Sequence, residues 1–367
     1  MKIKDITTYL EQIAPLQYQE SYDNSGLLVG RGNTEVRKVL VSLDCTEDVV
    51  EEAIQRGCNL IISHHPIVFK GLKRFNGSNY IERTVIKAIQ HDIALYAIHT
   101  NLDAVLGGVN TKISDKLGLQ NQAILAPKSD LLQKLVVFVP RAHVDSVRAA
   151  LFAAGAGDIG IHYEECSFNS AGYGTFKAKP GAEPFVGEIG EQHREEETRI
   201  EVVFPKHQAR RILVAMYEAH PYEEVAYQVT ALSNKLQEVG AGMIGNLPEP
   251  MSELEFLAHL KKELQVEVIR HTALTGSKVT RVAVCGGSGG FLLDAAKASG
   301  ADFFVTADYK YHEFFDAEEQ LVIADIGHYE SEQFTQELIQ DLVKQKFSEL
   351  EVLLTQVSTN PVHYYYS

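Results

Sequence analysis

Three short apolar runs, at residues 38–43, 59–63 and 93–98, alternate with segments of helical periodicity at 47–55 and 80–90. Strands that are apolar throughout, rather than at every second residue, are buried on both faces. Between them lies enough chain for a helix, so the pattern admits little besides a parallel sheet with right-handed β-α-β crossovers. Glu47 and Asp48 in the first turn of the first helix, and Gly57 at its end, fit that reading. In open sheets of this kind, ligands bind just past the carboxyl ends of the strands.

Those strand ends are where the reactive side chains fall. The second run ends in His64-His65-Pro66, and the third opens into His99-Thr100-Asn101-Leu102-Asp103. Far along the chain, a run at 321–326 leads into Gly327-His328-Tyr329-Glu330-Ser331-Glu332. His328 and Glu332 are four residues apart and share one helix face. The pattern predicts that three strand ends of one sheet bring His64, His65, His328, Asp103 and Glu332 to one crevice. Adjacent histidines on a strand point to opposite sides, so His64 and His65 serve one metal each more easily than they share one. Five ligands exceed a single catalytic zinc site, which takes about three from the protein. They suit two divalent ions sharing a carboxylate. Imidazole and carboxylate without thiolate fit zinc foremost, then iron, manganese, nickel or cobalt.

Further residues are expected around these ligands. His99 is placed to orient Asp103, and Asp325 to take the second ring N–H of His328. Asp308 and His312 share helical spacing and read either as acid/base groups at the rim or as plain surface residues. The glycine run at 285–290 reads either as a phosphate cradle or as a tight turn, and it lacks the Lys-Ser/Thr of a P-loop.

A chain of 367 residues is too long for one ordinary core. The texture changes after about residue 128. Strands at 134–139, 198–204 and 225–230, with helices at 143–154 and 208–218, suggest the β-α-β-β-α-β order of a ferredoxin-like module. The α/β texture then returns. The expected fold class is α/β: a discontinuous layered α/β domain from residues 1–128 and 237–367, with an inserted ferredoxin-like α+β domain at 129–236.

Composition removes several functions. The net charge is −15 and no basic run occurs, which argues against a whole-chain grip on nucleic acid. No apolar run reaches membrane-spanning length, and Met1-Lys2-Ile3-Lys4-Asp5 has no signal core, so a cytoplasmic location is expected. Cys45, Cys58, Cys166 and Cys285 are scattered, which signals neither a zinc ribbon nor a disulfide framework.

The motifs at 62–66, 99–103, 306–312 and 325–332 resemble those of the NIF-three-like family, whose bacterial members are called GTP cyclohydrolase 1 type 2 homologues. The insert resembles the CutA-type, PII-like trimeric fold, with residues 220–225 similar to the CutA signature. The resemblance implies a dinuclear site on His64, His65, Asp103, His328 and Glu332. It also implies a toroidal homohexamer whose metal sites face an internal cavity. The expected function is metal-dependent hydrolysis of a nucleotide or related small molecule. The alternative is a non-catalytic metal chaperone, insertion factor or regulatory protein, with the PII-like insert as sensor or lid.

Overall fold

The computed structural model describes residues 1–365. It forms two compact units, one from Met1–Ala126 together with the chain from Val239 onward, the other from Pro127–Glu238.

The first unit holds two sheets. One has five strands in the order Gly26–Val29, Ala94–Ala97, Leu60–Ser63, Val39–Ser42, Val352–Leu354. The central three are parallel to one another and buried at every residue, as continuous apolar runs require. Gly26–Val29 closes one edge antiparallel, and Val352–Leu354 closes the other parallel. The helix Glu47–Arg56 joins the first two central strands. The Thr46 hydroxyl accepts from the Val49 N–H at its start, and Gly57 ends it at φ 71°, a left-handed conformation glycine adopts without strain. Val49, Val50 and Ala53 turn its apolar face to the sheet core.

The other sheet has six strands in the order Arg270–His271, Val322–Asp325, Phe303–Ala307, Lys278–Ser288, Leu236–Ser252, Gln120–Lys128. Phe303–Ala307 is flanked by parallel neighbours, and Leu236–Ser252 runs antiparallel to Lys278–Ser288. This corrects one expectation. The strand ends that carry His65 and Asp103 belong to the first sheet, whereas the strand before His328 belongs to the second. Local periodicity identifies a strand but not the sheet it joins.

The second unit is a four-stranded antiparallel sheet in the order Phe168–Lys177, Gln192–Pro205, Leu132–Pro140, Tyr227–Leu232, with helices Val144–Ala153 and Ala209–Ala219. Leu135, Val137 and Val139 alternate inward against Ile200, Val202 and Phe204, and Leu151, Ile212 and Met216 cover them from the helices. Phe168–Lys177 has no counterpart among the expected strands. It is almost wholly exposed and lacks apolar alternation, so only its ten-residue register with Gln192–Pro205 makes it a strand. Among the described residues, no helix is long and apolar enough to cross a membrane.

Candidate metal centre

His64 and His65 extend the ladder past Leu60–Ser63. Their N–H groups donate to the carbonyls of Ser42 and Leu43, so both rings start from a fixed backbone. His64 is fully buried, and its Nδ1 donates to the Ile98 carbonyl at 2.8 Å. That bond fixes the tautomer and leaves the Nε2 lone pair free. The Nδ1 of His65 meets Asp44 Oδ1 at 2.8 Å. Asp103 closes the single helical turn Thr100–Asp103, which follows the strand Ala94–Ala97. Its backbone carbonyl accepts from Asn110. His328 and Glu332 lie on the short helix His328–Glu332, entered through Gly327 at φ 93°.

These side chains converge although they come from two sheets. Glu332, only 3% exposed, places Oε2 3.0 Å from His65 Nε2 and 3.2 Å from His328 Nε2. Its Oε1 lies 3.9 Å from His64 Nε2, and Asp103 Oδ1 lies 3.5 Å from that same nitrogen. His64 Nε2 and Asp103 Oδ1 are both shut off from solvent without a hydrogen-bond partner. Three sets could hold a metal ion: His65, His328 and Glu332; His64, Asp103 and Glu332; and His64, His65 and His99. The donors fit a divalent cation. They are imidazole nitrogens and carboxylate oxygens without thiolate, and two of them are buried atoms that nothing in the protein satisfies.

The electrostatics follow from this crowding. Burial holds His64 neutral, with its pKa lowered to about 3. Burial also opposes the charge on His65, but hydrogen bonds to Asp44 and Glu332 outweigh it and raise its pKa to about 10. The hydrogen bond to Glu332 raises His328 to about 9. Burial would push Glu332 up, yet His328 and His65 hold it well below the usual carboxylate range. Asp103 goes the other way, raised by burial and by the Glu332 charge.

The residues around the cluster take roles other than those their spacing suggested. Asp308, not Asp325, binds the second nitrogen of His328, at 2.7 Å from Nδ1. Asp325 is buried and accepts instead from Arg270, the Tyr309 N–H and the Gly327 N–H. His99 pairs through Nδ1 with Asp23 Oδ1 at 2.8 Å, while its ring packs edge-on against those of His64 and His65. His312 is exposed beside the rings of Tyr311 and Phe315 and outside all three candidate sets. Asp44 and Asp23 carry no motif. The one signal for Asp44 is its place just past the end of Val39–Ser42, on the same rim as His65.

The glycine run proves to be a packing device. The strand Lys278–Ser288 continues through Cys285, Gly286 and Gly287. A Cβ on Gly287, at φ 61°, would sit 2.5 Å from Glu332 Oε1, and one on Gly286 would sit 3.2 Å from Glu332 Cγ. The backbone N–H groups of Gly286, Gly287 and Gly289 are taken by Asn110, Ser331 and Thr306, so they form no free phosphate cradle. The glycines let a strand pass directly behind the buried carboxylate.

A layered α/β chain with imidazoles and carboxylates gathered between two sheet rims falls in the class of proteins with a candidate metal centre. The chain belongs to the Duf34/NIF3 (NGG1p interacting factor 3) family, whose model matches residues 1–361. It is 41% identical over 369 residues to the "GTP cyclohydrolase 1 type 2 homolog" of Halalkalibacterium halodurans, covering 98% of this chain and 99% of that one. It is 40% identical over 364 residues to the protein of the same name from Bacillus subtilis, covering 98% and 97%. Among solved structures, a Bacillus cereus protein related to NIF3 is 39% identical with a TM-score of 0.86, covering 100% of this chain and 99% of that one. A Staphylococcus aureus protein is 32% identical with a TM-score of 0.80 at the same coverage.

Proposed function

We propose that the chain holds two divalent metal ions and works as a metal-dependent hydrolase on a nucleotide or related small molecule. One observation carries the reading. Glu332 turns one oxygen to His65 and His328 and the other towards His64, beside Asp103, so a single buried carboxylate serves two ligand sets. When bound, the ions supply Lewis acidity and water activation at neutral pH. The chain's own residues do the positioning. Asp44 and Asp308 fix the rings of His65 and His328, and the Ile98 carbonyl fixes that of His64. The donor set favours zinc, with iron, manganese, nickel and cobalt next. The name carried by the curated relatives makes GTP ring opening the first reaction to assay.

The test is metal-loaded full chain incubated with a nucleotide panel that includes GTP, beside a His65→Ala, Glu332→Ala double variant. Metal-dependent turnover by the parent and none by the variant is expected. Equal turnover by both, or none by a parent carrying two ions per chain, overturns the hydrolase reading.

A second reading, a non-catalytic metal-handling or regulatory protein, has its own support. The second unit carries a cavity of about 1170 Å³ bordered by Phe176, Phe185, Arg199 and Tyr222, large enough for an effector. We read that unit as ferredoxin-like, of PII/CutA type, supported by its strand order and two helices. Tight metal binding without turnover, and transfer of metal to an acceptor apoprotein, would favour this reading. The toroidal hexamer is checked by light scattering, which should give six times the 40.7 kDa chain mass.

A further inference from the structure

The candidate metal centre opens on one side into a cavity of about 460 Å³, within the range of small-molecule sites. His65 and His328 line it, together with Asn360, Pro361, Val362 and Tyr364 from near the end of the described chain. The polar groups of this cavity show what it is built to receive.

Among the described residues, four carboxylates border the cavity, and all are engaged within the protein. Asp44 accepts from Thr359 at 2.7 Å and pairs with His65 at 2.8 Å. Asp308 holds His328. Glu330 accepts from Asn360 at 3.0 Å. Asp325 is 3% exposed and holds Arg270 and two backbone N–H groups. Arg270 differs from these. It is the one Lys or Arg among the described lining residues, and its side chain is 56% exposed. Register explains its position, because Arg270 stands directly across from Asp325 on neighbouring antiparallel strands. Its Nη2 is taken by Asp325 and by the Tyr309 carbonyl at 3.0 Å, and among the described residues no hydrogen bond engages Nε or Nη1. A buried carboxylate therefore holds a planar fork of donors in place and leaves one edge free. Such a fork matches the oxygens of a phosphate or carboxylate.

We propose that Arg270 is the anchor for an anionic group on the ligand of this centre, and that the ligand is a small phosphate- or carboxylate-bearing molecule. Its oxyanion meets the free edge of Arg270, and its reacting end lies at His65 and His328. Leu43, Val268, Pro361 and Val362 also line the cavity and are apolar residues, suited to an uncharged body. The reacting end rests on the hydrolase reading above. The anion anchor is tested separately from it.

The probes are inorganic phosphate and malonate, titrated calorimetrically into the metal-loaded full chain. The parent is compared with Arg270→Gln and Arg270→Lys, and metal content is measured for each. At least one anion should bind the parent. Arg270→Gln should bind it about tenfold more weakly or worse with metal content unchanged, and Arg270→Lys should fall between. The tighter of the two anions identifies the ligand's charged group. The proposal is overturned if the parent binds neither anion, or if a fully metallated Arg270→Gln binds both within twofold of the parent. Should Arg270→Gln lose its metal, Arg270→Lys decides by the same criterion, since it keeps the charge opposite Asp325. Anion binding that depends on Arg270 in a protein without turnover removes the hydrolase reading and leaves the anchor standing. Turnover untouched by Arg270→Lys, with unchanged anion affinity, does the reverse.

Discussion

The Nε2 of His64 and the Oδ1 of Asp103 face each other across 3.5 Å, both closed to solvent and both without a hydrogen bond. An unsatisfied buried polar atom costs roughly 1–3 kcal/mol. A cation bound between them turns that cost into ligand bonds. Chelation should therefore lower Tm reversibly, and His64→Ala should lose bound metal. Thermal melts with and without chelator, alongside elemental analysis, check this. A Tm indifferent to chelation in a metal-loaded sample would falsify it.

The pH response of the metal-free protein follows from the same cluster. His65 is raised to about 10 and His328 to about 9, against roughly 6.5 in an unfolded chain. Folding therefore favours their protonated forms. Their contribution to stability is complete below about pH 6.5 and is lost as the pH rises through both folded values. His64 acts in the opposite sense. Its pKa is lowered to about 3, so its contribution is present above about pH 6.5 and is lost on acidification. The metal-free protein should lose Tm between about pH 7 and pH 10. Metal takes imidazole in its neutral form, so the loaded protein should not share that alkaline decline. Parallel curves for the two forms would contradict the assignment.

Gly287→Ala should displace Glu332. The residue sits at φ 61°, and the added Cβ would lie 2.5 Å from Oε1 of the carboxylate that both ligand sets share. Backbone strain alone costs about 1–3 kcal/mol. The larger consequence is metal loss, because the added Cβ pushes on a carboxylate that two ligand sets share. Metal content near the parent's in a folded Gly287→Ala protein would show that the strand gives way.

Asp44→Asn and Asp308→Asn each leave a metal ligand in place and weaken the group that orients it. Asp308 sits at φ 59°, and asparagine tolerates that conformation, so the substitution isolates the side chain's effect. Each should weaken metal binding by about 10-fold or more. Competition titration against a chromogenic chelator measures it. Unchanged affinity in both would remove these carboxylates from the centre.

Much of this architecture is legible in local pattern. The buried strands Val39–Ser42, Leu60–Ser63 and Ala94–Ala97 appear as apolar runs, and the caps Thr46 and Gly57 mark the helix between the first two. His64, His65, Asp103, His328 and Glu332 stand out because each follows a strand end. The partners do not. Asp23 is 76 residues from His99, and Asp44 is 21 from His65, and neither lies in a motif that names its partner. The strand Phe168–Lys177 was equally hidden, since its exposed residues bury nothing that would impose a period of two.

The amino-acid order determined the elements and the kinds of ligand atom, because hydrophobic periodicity, capping and residue chemistry act over a few neighbours. Tertiary structure decided what those atoms do. It set two sheet rims against each other so that Glu332 reached His65, which comes 267 residues earlier in the chain. It gave Asp308 to His328 and left Asp325 to Arg270. It also used the glycines behind Glu332 for close packing rather than for phosphate. Each of these outcomes depends on which strand pairs with which, and that pairing is settled by burial and register across the whole unit.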